Sequence, residues 1–178
     1  MMRVIPDTSF FICFLDDIKK PELLIRIFNS NKFALVVGKI VHEELKRSEN
    51  YLKIESILNK SEFYDYTQFG EIIRPFMSLE EISKGEHEVI AIAYILNFLG
   101  YEIIFILDDN DARNFVLRSL KKISNRMIGT IGFVCRCCCH HKIFNKEEAR
   151  LILIMIKNSN FRVKKEILER AIGEIEGC

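Results

Sequence analysis

At 178 residues the chain has room for one domain with a sizeable core, or one domain with a short helical appendage. Apolar residues make up 49% and the net charge is +1, which argues for a globular protein and against a surface that coats polyanions by bulk charge. Cys135, Cys137, Cys138 and Cys139 crowd together, with Cys13 and Cys178 far off, so the spacing matches no secreted disulfide framework and a reducing, cytoplasmic setting is expected.

Taken in order, Arg3–Asp7 reads as a short strand and Thr8–Leu15 as a helix, with Asp7 in the N-cap position. No small-residue cleavage site follows the apolar run Phe10–Leu15, so it is not read as a signal peptide. Pro21 opens a helix through Phe28, and Phe33–Val37 is the second strand. Helices are expected at Lys39–Arg47 and Tyr51–Leu58, then a short strand or loop and a short helix within residues 61–80. Gly85–Leu99 is apolar nearly all round, as a buried helix must be, and Tyr101–Leu107 is the central strand. Val89–Leu107 carries one charge, Glu102, but Asn97 and Gly100 interrupt it; a helix, a stop and a strand explain it better than a membrane span. An amphipathic helix at Ala112–Lys122 and a strand at Arg126–Ile128 lead to the cysteine-bearing helix. Helices at Lys146–Lys157 and Val163–Ile175 make 143–178 a C-terminal helical extension of a single domain. Strands alternating with helices imply an α/β fold with a parallel sheet covered on both faces.

The chemistry lies in the acids. The central strand runs into Asp108, Asp109 and Asp111, which places carboxylates at the carboxyl edge of the sheet, where open α/β folds bind ligands. Ile40, Val41 and Leu45 mark a buried stripe that includes Glu44 and leaves Glu43 outside. Glu86 shares phase with Val89, Ile90 and Ala93 in a first turn that favours an anion, and Glu88 shares phase with Ile92 and Ile95 as a secondary candidate. Taken singly, Asp7 and Asp111 have a bland explanation as helix caps. Together, Asp7, Glu44, Glu86 and the 108–111 cluster border one edge of one sheet. Oxygen ligands without histidine suit Mg²⁺ or Mn²⁺, and such ions support hydrolysis at phosphorus.

The order of these segments resembles the PIN-domain nucleases, in the branch with a Gly-Glu signature in the buried helix. The matching pieces are Val4–Ser9, Val41–Leu45, Gly85–Ala93, Ile106–Arg113, Ile128–Phe133 and Asn160–Val163. The resemblance implies a three-layer α/β/α sandwich with four acids around one or two divalent ions, cutting single-stranded or structured RNA. By position the ligands would be Asp7, Glu44, Glu86 and an acid of the cluster, Asp108 as the nearest to the strand end with Asp109 close behind. Thr8 or Ser9 would hold a water of the metal. The chain departs from many family members in having Glu86 where they have Asp. Many relatives are VapC-like toxins paired with a small antitoxin protein, and many are homodimers.

Arg113, Lys121, Lys122, Arg126 and Arg136 are the expected basic rim for phosphates. Cys137 and His141 share a helix face, but core packing is the favoured role of the cysteine segment, ahead of metal or redox chemistry. The competing functions are a PIN-like fold that binds or assembles without cutting, and a Cys/His regulator.

Overall fold

The computed structural model describes residues 1–65 and 84–178. Among these residues five strands form one sheet: β1 (Met2–Pro6), β2 (Phe33–Gly38), β3 (Glu62–Tyr64), β4 (Ile103–Ile106) and β5 (Met127–Ile128). Their order is β3-β2-β1-β4-β5 and every pairing is parallel. The chain therefore moves one way from β1 to β3 and the other way from β4 to β5. That reversal makes the gap between β1 and β4 a topological switch point, where a crevice opens at the carboxyl ends of the strands.

Among the described residues ten helices cover the sheet, giving a three-layer α/β/α sandwich. They are α1 (Thr8–Ile12), α2 (Pro21–Phe28), α3 (Lys39–Leu45), α4 (Glu55–Leu58), α5 (Lys84–Phe98), α6 (Asn110–Ser119), α7 (Lys121–Ser124), α8 (Thr130–Cys139), α9 (Lys146–Lys157) and α10 (Lys165–Gly177). Strands β1, β2 and β4 are apolar runs with little alternation, as expected of strands covered on both faces. Helix α5 packs across β1, β2 and β4 with Val89, Ile90, Ala93 and Leu96 buried. Phe10, Phe14, Phe33 and Phe133 form an edge-on and tilted aromatic cluster that ties α1 and α8 to β2.

Three expected elements differ. The helix through Leu15 is α1 followed by a wider π turn, Cys13–Asp17, which keeps Cys13, Phe14 and Leu15 buried. Tyr51–Leu58 is a 3₁₀ turn and then α4, and Ala112–Lys122 is α6 and α7 with a break at Leu120. The short helix expected within 61–80 lies outside the described residues. The nineteen-residue apolar stretch resolves into α5, Gly100 at φ +82°, where a side chain would be strained, and β4. Among the described residues no helix is long and apolar enough to cross a membrane.

The C-terminal segment folds back onto the domain. Helices α8, α9 and α10 pack on one another, and Ile152, Leu153, Leu168 and Ile175 belong to the same hydrophobic core as the sheet. A two-pronged Arg26–Glu148 contact at 2.6 and 3.1 Å joins α2 to α9, whose start is fixed by an Asn145/Glu148 capping box. Cys139 and Cys178 are disulfide-bonded, with Cα atoms 5.5 Å apart. The expectation of unpaired cysteines is corrected here: it weighed neighbours in sequence, whereas the partner arrives from the last residue as α10 returns along α8. Cys13, Cys135, Cys137 and Cys138 are buried free thiols.

Candidate active site at the switch point

The ladder between β1 and β4 sets Pro6 opposite Ile106, so both chains leave the sheet side by side. The Asp7 N–H donates to the Ile106 carbonyl at 3.1 Å, and the Leu107 N–H donates to that of Ile128 at 3.0 Å. Asp7 and Asp108 thereby arrive at the same edge from adjacent strands. Asp7 is 2% exposed; its Oδ1 accepts from the Phe10 N–H at 2.9 Å, capping α1, and its Oδ2 is approached by the Asp108 N–H at 3.4 Å. Asp7 is thus both a cap and a member of the acid cluster.

These acids hold their protons unusually tightly. Burial, then repulsion from Asp108 and, more weakly, from Glu86, pushes Asp7 up to about 8 against the favourable pull of its two backbone donors. Burial also raises Asp108, although Thr130 and the nearby Arg113 guanidinium oppose the shift. Thr130, fully buried, donates its N–H to Asp108 Oδ1 at 2.9 Å and its hydroxyl to Oδ2 at 2.5 Å. The bland surface of Gly129 permits this approach, since a Cβ there would lie 3.0 Å from Asp108 Oδ1. Arg113 Nη1 donates to the Leu107 carbonyl at 2.8 Å, which holds the guanidinium at the strand end.

Glu44 is half-buried on α3 and Glu43 is exposed. The Thr8 hydroxyl donates to Glu44 Oε2, linking the second acid to the start of α1. Gly85 makes room for that carboxylate: a Cβ at Gly85 would sit 2.9 Å from Glu44 Oε2. Among the described residues, a cleft of about 490 Å³ is lined by Thr8, Ser9, Glu86, Asp108, Asp109 and Arg162, with others. Neither Asp7 nor Glu44 lines it: Glu44 is tied to it through Thr8, and Asp7 through the Asp108 N–H.

Other candidates go elsewhere. Glu88 is fully buried, and its two oxygens accept the Ile40 and Val41 N–H groups at 3.0 and 2.9 Å, satisfying the first turn of α3. Burial raises its pKa and those two donors counter it. Asp109, not Asp111, caps α6, accepting from the N–H groups of Asp111 and Ala112 at 2.8 and 2.9 Å. Asp111 is exposed in the first turn. The expectation of an Asp111 cap placed the helix start two residues late.

The basic rim is also redistributed. Arg113 stands at the acids, but Lys121 and Lys122 follow α6, whose ten residues carry the chain about 15 Å away from them. Arg162, outside the expected rim, lines the cleft instead. Thr130 was visible only as part of the Gly129–Gly132 segment, with nothing in its own spacing to mark it as a carboxylate donor.

The donor types fit a hard divalent cation: oxygen ligands, no histidine, and a buried Asp7 beside half-buried Asp108 whose repulsion a cation would relieve. Among the described residues, no three of these acids bring their oxygens within 4.8 Å of one another; the one group of three possible ligands that close is Cys138, Cys139 and Cys178, two of them already bonded to each other.

No curated protein and no solved structure matches the chain significantly. A family model described as PIN domain matches residues 3–177, which takes in every strand and helix described above except the first residue of β1. Members of that family are generally nucleases that use divalent metals. With the match spanning nearly the whole length and the sheet order placing two acids at the switch point, the chain belongs to the PIN-domain family.

Proposed function

We propose that the protein is a divalent-metal-dependent endoribonuclease that hydrolyses RNA phosphodiester bonds with Mg²⁺ or Mn²⁺. The observation that carries this reading is the pair of mutually repelling carboxylates at the ends of adjacent strands, Asp7 buried and Asp108 half-buried. Carboxylates alone repel a phosphodiester, so the arrangement makes chemical sense only with a cation between acid and substrate.

Asp7 and Asp108 would hold the metal, with Glu86 from the start of α5 beside them and Glu44 acting directly or through Thr8. When bound, such an ion supplies an acidified water and positive charge to offset the charge that builds up in an in-line displacement at phosphorus. The protein's own part is positional. Thr130 fixes both oxygens of Asp108, the Phe10 amide fixes Asp7, and Gly85 lets Glu44 approach the start of α5. Arg113 brings a cation to the strand end, where a phosphate oxygen can meet it.

A toxin role, with a small antitoxin as partner and a homodimer as the working form, follows from the resemblance. Co-expression with the product of an adjacent small gene would test it: relief of growth arrest supports the pairing. A cytoplasmic site of action goes with an RNA substrate, and there the Cys139–Cys178 pair would be reduced.

The reading is tested by incubating pure protein with a mixed, structured RNA in Mn²⁺ and in chelator, alongside Asp7→Asn. Cleavage that needs the metal and vanishes in the variant is the expected result. An inactive wild type that also shows no calorimetric Mn²⁺ binding would overturn it in favour of a non-cutting binding module.

A further inference from the structure

A second cleft, of about 530 Å³, runs away from the acids between the β5–α8 junction and the C-terminal segment. It shares Asp108, Asn110, Phe161 and Arg162 with the acid cleft, so the two are continuous. Its walls carry Arg113, Arg162, Lys164 and Arg170, and its far end is marked by Glu174. Arg162, Lys164 and Arg170 are exposed and form no ion pair among the described residues. The neighbouring Lys165 instead pairs with Glu169 at 3.4 Å, away from the cleft lining. Helix α10 thus keeps neutralised charge outside and leaves positive charge facing the recess.

Resting on the nuclease reading, we propose that this cleft is the track for a single strand of the RNA leaving the acid site, its phosphates met by Arg162, Lys164 and Arg170. Lys164 and Arg170 lie six residues apart, a rise of about 9 Å along the helix, so they serve successive phosphates rather than one. The floor between them is apolar, from Met127, Ile128 and Ile131, with half-buried Phe161 where the two clefts join. Unpaired bases can use such a floor and such a ring; the bases of a duplex, stacked and paired, cannot reach them. Glu174 repels phosphate at the far end and limits the track to a few nucleotides. An acidic peptide would satisfy the cations, but it would not require continuity with Asp108.

The test is binding, read apart from cleavage. Fluorescence anisotropy is measured in chelator with a labelled single strand of about 12 nucleotides and with its duplex, between about 50 and 200 mM salt. Arg162→Gln/Arg170→Gln is compared with Lys121→Gln/Lys122→Gln, which removes the same charge from the far end of α6. All four residues are exposed, and a thermal melt verifies that both variants fold. The expected result is a Kd about tenfold higher for the first variant only, with the log–log salt slope smaller by about 1.4 for two lost phosphate contacts. Equal losses in both variants, no loss in either, tighter binding of the duplex, or wild-type protein that ignores the strand and binds poly-glutamate would each overturn the track. Failure of the two readings separates cleanly. Wild type that binds the strand with the expected slope but neither cuts in Mn²⁺ nor binds it calorimetrically sinks the nuclease and leaves the track; wild type that cuts while both variants bind alike sinks the track alone.

Discussion

Glu88 and Asp7 are both buried carboxylates near the carboxyl edge of the sheet, and the protein treats them differently. Glu88 has each oxygen on a backbone N–H of α3, in a seat shaped by Gly38, whose Cβ would fall 2.1 Å from the Glu88 Cδ. Asp7 has one good donor and one at 3.4 Å, and its nearest charge is another carboxylate, Asp108. A buried acid whose hydrogen bonds are complete holds elements together; one set against a second acid is held in a state that only a proton or a cation relieves. The contrast separates architecture from chemistry without reference to any relative.

It is broken most directly by neutralising one acid of the pair. Asp108→Asn and Asp7→Asn should each lower RNA cleavage at least about a hundredfold, because each removes a charge that the cation needs. Each should also leave the metal-free protein within about 1 kcal/mol of wild type, since the repulsion disappears and the amide oxygen keeps the shorter backbone bond, from Phe10 or Thr130, while the bond to the second oxygen is given up. Initial rates in Mn²⁺ and urea melts in chelator measure the two effects on the same preparations. A variant that lost activity by unfolding would contradict the assignment.

Glu88 should show the reverse. Glu88→Ala orphans two amides and opens a cavity between α5 and α3, an expected loss of about 2–4 kcal/mol in a urea melt. Whatever protein remains folded should still bind Mn²⁺, because the Asp7–Asp108 pair does not depend on Glu88. Loss of metal affinity without loss of stability would move Glu88 into the active site.

The sequence showed Glu88 as buried through its phase with Ile92 and Ile95, but not its purpose, because its partners are backbone groups nearly fifty residues away. The parallel sheet was readable from apolar runs ending in polar punctuation, and Asp7 and Asp108 from their places at strand ends. Helix caps were harder: three acids in four positions straddle the start of α6, and only backbone geometry selects Asp109. Lys121 and Lys122 looked suitable as a rim because a helix read as continuous conceals where its far end points. Arg162 fell in the Asn160–Val163 segment that resembles the family, with nothing to mark it as a phosphate contact, and Lys164 and Arg170 carried no signal, since cations at the start and on the exposed face of a helix look alike until the fold shows which of them face a recess. The Cys139–Cys178 bond was hidden for a similar reason, its two halves lying 39 residues apart.

Two glycines extend the comparison to smaller effects. Gly38 has extended backbone angles that any residue adopts, so Gly38→Ala acts purely through the clash with Glu88 and should cost about 1–3 kcal/mol. Gly85→Ala meets only the tip of the Glu44 carboxylate, which can swing aside, and alanine favours the helix; stability should change by less than about 1 kcal/mol. The displaced Glu44 should instead appear as Mn²⁺ affinity reduced about tenfold by calorimetry. Equal stability losses at the two sites would erase the distinction.

The smallest signal is the pH dependence of the metal-free protein. Asp7 binds its proton more tightly folded than unfolded, so its contribution to stability is fully present below the unfolded carboxylate range and is lost as pH rises through about 8. The buried His87 and half-buried His141 act oppositely: desolvation lowers both, so the unfolded chain takes up protons more readily and stability is lost as pH falls below the ordinary histidine range. A wild-type profile mixes the two. The difference between wild type and Asp7→Asn, measured by melts in chelator, cancels the histidines and should widen in the variant's favour from acid to mildly alkaline pH. Adding Mn²⁺ should close that gap from the wild-type side, because the cation takes the place of the proton between the two acids. A difference curve flat with pH would mean that Asp7 is as comfortably ionised as Glu88 is well seated, and the contrast between the two sites would fail at its root.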